Sequence, residues 1–309
     1  MAKAGFAIIG VGVRAELHAQ VIESLPDCAL VAVCSRSIDK AKEFSSRHSF
    51  CKVYDEVEYL LDDENVDIVV ITTPSGLHFH PASLAINSGR HVIVECPLEI
   101  SSEKALSLYQ AAEDEGVYLE CIFSDRFSSS SCALHNAISE GILGKILSFD
   151  YKIKDKNTDV YLQASPWREN PLLSGGRIFL PSNIQALDKL LFILAEEVRL
   201  LNDTDPFDVE TTSGIPGTIS IRKDNPDTLS IICEKGSVRI RGNVIEEWNI
   251  TNREKPKVCE GDSELECVKK QYSELMKAFK KGCPVCVDAL MAESTIKLCE
   301  KIHKNLIIR

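Results

Sequence analysis

No apolar run in the sequence approaches the roughly 20 residues that a membrane-spanning helix needs. The first residues also lack the charged stretch, apolar core and small-residue cleavage site of a secretory leader. Both absences point to a cytoplasmic chain with no membrane partner. Positive charge is short too: 35 Lys and Arg against 46 Asp and Glu give 35 − 46 = −11. That is the wrong sign for a partner held by its phosphate backbone, so a nucleic-acid partner is not expected. There is no internal repeat and no low-complexity segment. No metal site is expected either, because Cys283-Pro284-Val285-Cys286 has redox or half-metal-site spacing but no second pair to complete it. We read these two cysteines as reduced thiols in a loop. Of the 12 cysteines, most of the others, such as Cys28, Cys34, Cys121, Cys233 and Cys299, sit among apolar neighbours, where a thiol behaves as a small hydrophobe.

What is present is ordinary globular material, 44% hydrophobic and 26% charged, in a chain of 309 residues. That length favours two domains with their own cores. Up to residue 122 strand and helix patterns alternate, which predicts βαβ crossovers and a doubly wound parallel sheet. Strands are expected at Phe6–Ile9, Leu30–Cys34, Val66–Ile71, His91–Glu95 and Val117–Phe123. Helices fit between them, the last opened by the cap signature Ser101-Ser102-Glu103. From residue 123 the texture changes. Strands at Lys145–Ile153, Gly217–Arg222, Thr228–Cys233 and Ser237–Arg241 follow one another through short polar turns, which predicts an α+β domain with an open, mostly antiparallel sheet. The expected division is therefore 1–122 and 123–309. If helices cover one face of that second sheet and the other is apolar, a homo-oligomer follows, a dimer or tetramer.

The most informative stretch is Gly10-Val11-Gly12-Val13-Arg14-Ala15, between the first strand and first helix. Gly10 permits a tight turn, Gly12 leaves room for a pyrophosphate, and Ala15 lets the helix pack closely on the strand. The helix would aim its N-terminal amides at the phosphates. Ligands of such sheets bind beyond the C-terminal strand ends. There the sequence has Ser35-Arg36, Thr73-Pro74 with His78 and His80, and Glu95-Cys96-Pro97. The second strand ends without the carboxylate that would bind a ribose 2′-hydroxyl; Ser35 and Arg36 suit a 2′-phosphate instead, which predicts NADP(H) over NAD(H).

The glycine loop, Thr73-Pro74 with Leu77-His78, Gly89-Arg90-His91-Val92, Glu95-Cys96-Pro97-Leu98, Arg126-Phe127, Gly141-Ile142-Leu143-Gly144-Lys145, Trp167-Arg168 and Ser174-Gly175-Gly176 occur in a familiar order and spacing. In these motifs, over essentially its whole length, the chain resembles the glucose–fructose oxidoreductase / inositol dehydrogenase / MocA family. The resemblance implies a Rossmann domain, a C-terminal α+β domain whose open sheet often serves oligomerisation, and a site where a nicotinamide faces a small sugar-like substrate. It implies that Glu95 lies under the nicotinamide end of the cofactor and that His78 shapes the cofactor pocket. It also puts Arg126, Tyr161, Trp167 and Arg168 beside the substrate; the two arginines suit a carboxylate or phosphate there, or else are exposed loop residues.

Three positions depart from the family. Its Glu-Lys-Pro motif reads Glu95-Cys96-Pro97 here, so Cys96 stands where the lysine that handles the substrate hydroxyl is expected. Its later Asp and His fall, aligned on Asp188, at Pro181 and Gln185; aligned on the glycines they fall at Leu180 and Ile184. None of the seven histidines lies between His135 and His303. Cys96, Asn183 and Gln185 thus mark the catalytic positions without supplying a proton acceptor, unless Cys96 acts as a thiolate. Three functional classes remain: an NAD(P)-dependent oxidoreductase acting on a sugar-like or conjugated substrate, a catalytically inactive dinucleotide-binding regulator, and an NAD-dependent glycosidase.

Overall fold

The structure is a computed structural model that describes residues 3–49, 51–156, 159–257 and 261–307. By contacts it divides into two compact units. One comprises 1–122, 170–175 and 268–293, the other 123–169, 176–267 and 294–309. The break after Ile122 coincides with the change of sequence texture. The assignment of 170–175 and 268–293 to the first unit is invisible to a linear reading.

In the first unit, strands β1 (Ala4–Ile9), β2 (Cys28–Cys34), β3 (Lys52–Tyr54), β4 (Ile68–Ile71), β5 (His91–Val94) and β6 (Leu119–Cys121) form one sheet. Its order is β3-β2-β1-β4-β5-β6 and every pairing is parallel. This is the doubly wound order whose switch point lies between β1 and β4. All six residues of β1 are buried, as its uninterrupted apolar run requires. The intervening helices are α1 (Val13–Ser24), α2 (Ile38–Arg47), α3 (Val57–Leu61), α4 (Phe79–Asn87) and α5 (Ser102–Glu115). Ser101 caps α5 by accepting the Lys104 N–H at 3.4 Å. Val268, Tyr272, Leu275 and Met276 pack into the same core as Phe6, Ile8 and Ile22, which is why the late segment belongs to this unit.

The remaining helices are α6 (Ser129–Ser139), α7 (Asp159–Gln163), α8 (Pro171–Ser174), α9 (Pro181–Leu194), α10 (Glu264–Lys281) and α11 (Ala289–Ile307). The second unit's sheet contains β7 (Ile146–Lys154), β8 (Val198–Leu200), β9 (Phe207–Thr211), β10 (Pro216–Arg222), β11 (Thr228–Cys233), β12 (Gly236–Arg241) and β13 (Val244–Ile250), in the order β13-β12-β11-β7-β10-β9-β8. Only β10 with β7 is parallel; the other pairs are antiparallel. The acidic stretch Asn202–Asp208 runs into β9, whose inward alternation of Phe207, Val209 and Thr211 is too short to register as a sequence pattern.

One expectation is corrected here. The buried face of this sheet carries Phe149, Tyr151, Ile153, Ile219, Leu229 and Ile231. The opposite face is polar: Asp150 pairs across to Thr218 and Ser230, and Ser230 to Arg239. Ile232 is its exposed apolar residue, at 54%. Among the described residues this sheet leaves no apolar face uncovered, so that argument for a dimer or tetramer falls. Among the described residues no helix is long and apolar enough to cross a membrane, and no cluster of His, Cys, Asp and Glu could hold a metal ion. Cys283 and Cys286 lie exposed in the loop between α10 and α11.

Candidate active site

The glycine loop has the local geometry its composition predicts. Gly10 sits at φ +100°, and a Cβ there would come within 3.1 Å of the Thr72 carbonyl carbon and the Thr73 nitrogen. Only glycine fits between the ends of β1 and β4. Gly12, in extended conformation at the N-cap of α1, faces open space, with no atom of the described residues within 4 Å of where its Cβ would be. Val11 is partly buried beside it, Val13 is 80% exposed, and Ala15 is fully buried under the helix. A second-strand contact completes the loop: Gly10 N–H donates to the Cys34 carbonyl at 2.9 Å, immediately before Ser35 and the exposed Arg36. These residues fit a dinucleotide: an open cradle at a helix N-terminus, and a guanidinium at the end of the next strand.

Glu95 follows β5 and is held by a network rather than left facing a ligand. Its Oε1 accepts from Arg14 Nε at 2.7 Å and lies 2.6 Å from His18 Nε2. His18 Nδ1 is 2.6 Å from the Tyr272 hydroxyl. Glu95 Oε2 accepts the Cys96 N–H at 3.2 Å. Burial alone would raise this carboxyl, but the Arg14 charge and the His18 contact overcome it and hold Glu95 down to about 2. Its charge therefore ties the first turn of α1 to the end of β5. His18 and Tyr272 escaped the sequence reading. The available signal was the i, i+4 spacing of Arg14 and His18, which puts both on one face of α1.

The loops after β4 and β5 are joined by His78, whose Nδ1 lies 2.9 Å from the Pro97 carbonyl oxygen and whose Nε2 lies 2.8 Å from that of Thr73. The ring is 1% exposed. Thr73 and Pro74 are half-buried, so His78 shapes the loop from inside. Cys96 is also buried and precedes a cis proline, Pro97.

In the second unit, Arg126 presents its fork to Asp188, Nε to Oδ2 at 2.6 Å and the terminal nitrogen to Oδ1 at 2.7 Å, with Thr295 donating to Oδ1 at 3.2 Å. Both ionic residues are buried and the guanidinium lies over the Phe192 ring. This is a bidentate internal pair, and Arg126 is not the exposed loop residue of the alternative reading. Tyr161, Trp167 and Arg168 do come together: Arg168 stacks 3.9 Å from the Tyr161 ring centroid, lies over Trp167, and donates to the Tyr161 carbonyl at 2.7 Å. Gln185 Oε1 accepts the Asp125 N–H at 3.4 Å. Asn183 lies on the first turn of α9 beside Asp155 and Arg177, two residues that no sequence pattern singled out. Their pairing depends on where β7 ends, which side-chain spacing along the chain does not encode.

Residues 4–123 match the model of the oxidoreductase family with an NAD-binding Rossmann fold. A similar curated protein is scyllo-inositol 2-dehydrogenase (NADP(+)) IolW of Bacillus subtilis, 26% identical over 174 residues, 56% of this chain and 47% of that protein. The uncharacterized oxidoreductase YdgJ of Escherichia coli is 30% identical over 144 residues, 46% of this chain and 41% of that protein. The matches span less than half the length of these two curated relatives. Among solved structures, WlbA dehydrogenase of Bordetella pertussis in complex with NADH and UDP-GlcNAcA superposes with a TM-score of 0.85 at 20% identity, over 99% of this chain and 97% of that one. Levoglucosan dehydrogenase in complex with NADH and levoglucosan gives 0.84 at 18% identity, with 99% and 97% coverage. At such identities the likeness is one of fold. Residues 4–123 of this chain thus carry the NAD-binding Rossmann domain of the glucose–fructose oxidoreductase / inositol dehydrogenase / MocA oxidoreductase family, and the whole chain shares the fold of these dehydrogenase structures.

Proposed function

We propose that the protein is an NADP(H)-dependent oxidoreductase that acts on a small sugar-like or conjugated substrate. The observation that carries the reading is the open cradle at Gly12, set at the N-terminus of α1 and at the switch point of the sheet. The bound nicotinamide supplies the hydride acceptor or donor. Gly12 leaves the space that a pyrophosphate needs, and the first turn of α1 faces it with its positive end. Ser35 and Arg36 hold the 2′-phosphate, against the opposing pull of Asp55 and Glu56. Those carboxylates, after burial itself, help push the Cys34 thiol up to about 11. Glu95 and His78 fix the loops that carry Cys96 and Thr73, so the cofactor face of the sheet is preorganised.

Oxidising an alcohol also requires a group to take the hydroxyl proton. Gln185 does not titrate and Pro181 has no polar side chain. Cys96 is 3% exposed and packs. We therefore expect slow oxidation of plain sugar alcohols, since general base catalysis contributes about 10²- to 10⁴-fold, and better transfer to or from an activated carbon. The IolW relative is named for NADP(+), whereas the WlbA and levoglucosan dehydrogenase structures contain NADH and a sugar ligand; these names support the substrate class and leave the cofactor choice to Arg36.

The test is a titration of NADP+ and NAD+ into wild type and Arg36→Ala, followed by turnover on sugars, uronates and conjugated carbonyl acceptors. NADP+ should bind about tenfold or more tightly than NAD+, from charge-assisted bonds that Arg36→Ala removes. Equal wild-type affinities would overturn the cofactor choice. Cys96→Ala should keep the native turnover. Tight cofactor binding with no turnover of any acceptor would favour the inactive regulator, the reading that Pro181 and Gln185 make the runner-up.

A further inference from the structure

The cysteines of this chain divide sharply by exposure. Among the described residues eight are buried, Cys132 is half-buried, and the two exposed ones are Cys283 and Cys286. A thiol reagent in solution therefore meets two thiols that stand three positions apart. Both belong to anchored backbone. Gly282 and Cys283 donate their N–H groups to the Ala278 carbonyl at 2.8 and 3.3 Å, which closes the last turn of α10 with Gly282 at φ +64°. On the other side Val287, fully buried, accepts the Cys121 N–H at 3.2 Å, and Asp288 bridges to Glu120 of β6. Asp288 then caps α11 by accepting the Met291 N–H at 2.8 Å. Val285 packs partly against the core of the first unit, so the chain turns inward between the two cysteines and leaves both on the solvent side.

Beside this turn lies a buried carboxyl, Glu120. Its Oε1 accepts from Gln271 Nε2 at 2.9 Å, while Glu120 Oε2 and Gln271 Oε1 have no hydrogen-bond partner among the described residues. Buried acceptors in that condition are rare. Cys286 responds to this carboxyl: burial first, then Glu120, Glu274 and Cys283 raise its thiol, with Lys277 opposing them. Lys277 is itself paired with Glu274 at 2.6 Å, and Asp288 adds to the negative set around Glu120. Cys286 is thus a poor first nucleophile, because the thiolate is the reacting form. Cys283, exposed at the end of α10, is the one an incoming molecule attacks first. No third ligand completes a metal-binding group here among the described residues, so the chemistry left to the pair is that of sulfur alone.

We propose that Cys283 and Cys286 form a thiol–disulfide exchange site for small-molecule disulfides. The Cys283 thiolate attacks the ligand's S–S bond, a mixed disulfide forms on Cys283, and half of the ligand leaves and takes up a proton. The Cys286 thiolate then attacks Cys283 Sγ, the Cys283–Cys286 bond forms, and the second half leaves and takes up a proton. Two cysteine thiols are oxidised and one ligand disulfide is reduced to two thiols, which gain the two protons that the cysteines lose. Glu120 acts on the second step through Cys286, by setting when that thiol ionises. The site needs neither the cofactor nor the sugar-like substrate, so it stands apart from the function proposed above.

The test is reaction of the reduced full chain with glutathione disulfide, followed by mass spectrometry of the intact chain and its peptides, for wild type, Cys283→Ser, Cys286→Ser and Glu120→Gln. Wild type should lose two hydrogens, carry a Cys283–Cys286 link and retain no glutathione. Cys286→Ser should stop at the mixed disulfide, with glutathione on Cys283. Cys283→Ser should react at least about tenfold more slowly than wild type, because the thiol that remains is the raised one. Both serine variants change exposed side chains, so the chain should fold in each. Closure of the wild-type mixed disulfide should quicken as the pH rises and Cys286 ionises. Burial pushes Glu120 up to about 8, so Glu120→Gln should close severalfold faster at pH 9 and at the wild-type rate at pH 6. A wild type that keeps glutathione without closing, links either cysteine elsewhere, or does not react would overturn the site. Identical pH profiles for wild type and Glu120→Gln would overturn the part given to Glu120.

Discussion

Two helix N-termini, one in each unit, solve opposite problems. At α1 the site is shaped by what is missing: Gly12 has no side chain, and the space before it is open. The charged groups behind it, Arg14 and Glu95, with His18 beside them, are mutually paired. At α9 the helix start is shaped by what is present, the half-buried Ser182 and the buried Asn183, whose side-chain oxygens meet nothing among the described residues. The first arrangement suits a ligand held by backbone and helix dipole, indifferent to small chemical changes. The second depends on individual hydrogen bonds, where one missing partner is felt. A shared fold can keep the first constant while the second varies, which is why the family match speaks for the nucleotide end and says little about the substrate.

The most damaging way to break the contrast is to unpair the α1 end. Glu95→Ala leaves Arg14 and His18 facing a buried gap, and it should cost about 3–5 kcal/mol in denaturant unfolding at pH 7. The pH dependence follows from the same pairing. A carboxyl held near 2 when folded and near 4.5 when unfolded stabilises the fold above pH 4.5 and loses that contribution as the pH falls toward 2. The wild-type advantage over Glu95→Ala should therefore shrink below pH 4.5; an advantage that is flat down to pH 2 would contradict the pairing.

A sharper comparison lies in a second buried carboxyl of the same unit. Glu120 is 1% exposed and accepts from Gln271 Nε2 at 2.9 Å, but among the described residues it has no cation beside it. Burial, opposed by that one hydrogen bond and reinforced by Asp288, pushes it up to about 8. Here the sign reverses. The neutral acid is the stable form, so stability is fully present below pH 4.5 and declines as the pH rises toward 8. Glu120→Gln keeps the shape and removes the charge. It should stabilise the protein by about 2–4 kcal/mol at pH 8 and by little at pH 4.5. Equal effects at the two pH values would show that Glu120 is not strained by its charge.

How much of this was legible depends on whether a feature is carried by local sequence. The β1–loop–α1 unit is local: a buried apolar run, Gly10, Gly12 and Ala15 fall within a dozen residues and each has one steric reason to be there. The strand order follows from alternation and crossover handedness. By contrast, His18 meets Tyr272 across 254 positions, and Asp155 meets Asn183 across 28. Neither contact leaves a spacing to read. The polar open face of the second sheet was misjudged because alternation along one strand does not say which face the helices cover. Arg126 was open to two readings for a related reason: its partner, Asp188, was used only as an alignment anchor, although a buried carboxylate on an apolar helix demands a cation.

The central claim is that the cradle before α1 holds a dinucleotide phosphate because Gly12 leaves it empty. The most direct measurement is the NADP+ dissociation constant of Gly12→Val beside that of wild type, with thermal unfolding as the control. Position 12 has extended backbone and free space around it, so valine should fold there with the melting temperature changed by no more than about 3 °C. The same side chain would fill the phosphate's place and weaken NADP+ binding by about 100-fold. A folded Gly12→Val that binds NADP+ as tightly as wild type would contradict the account.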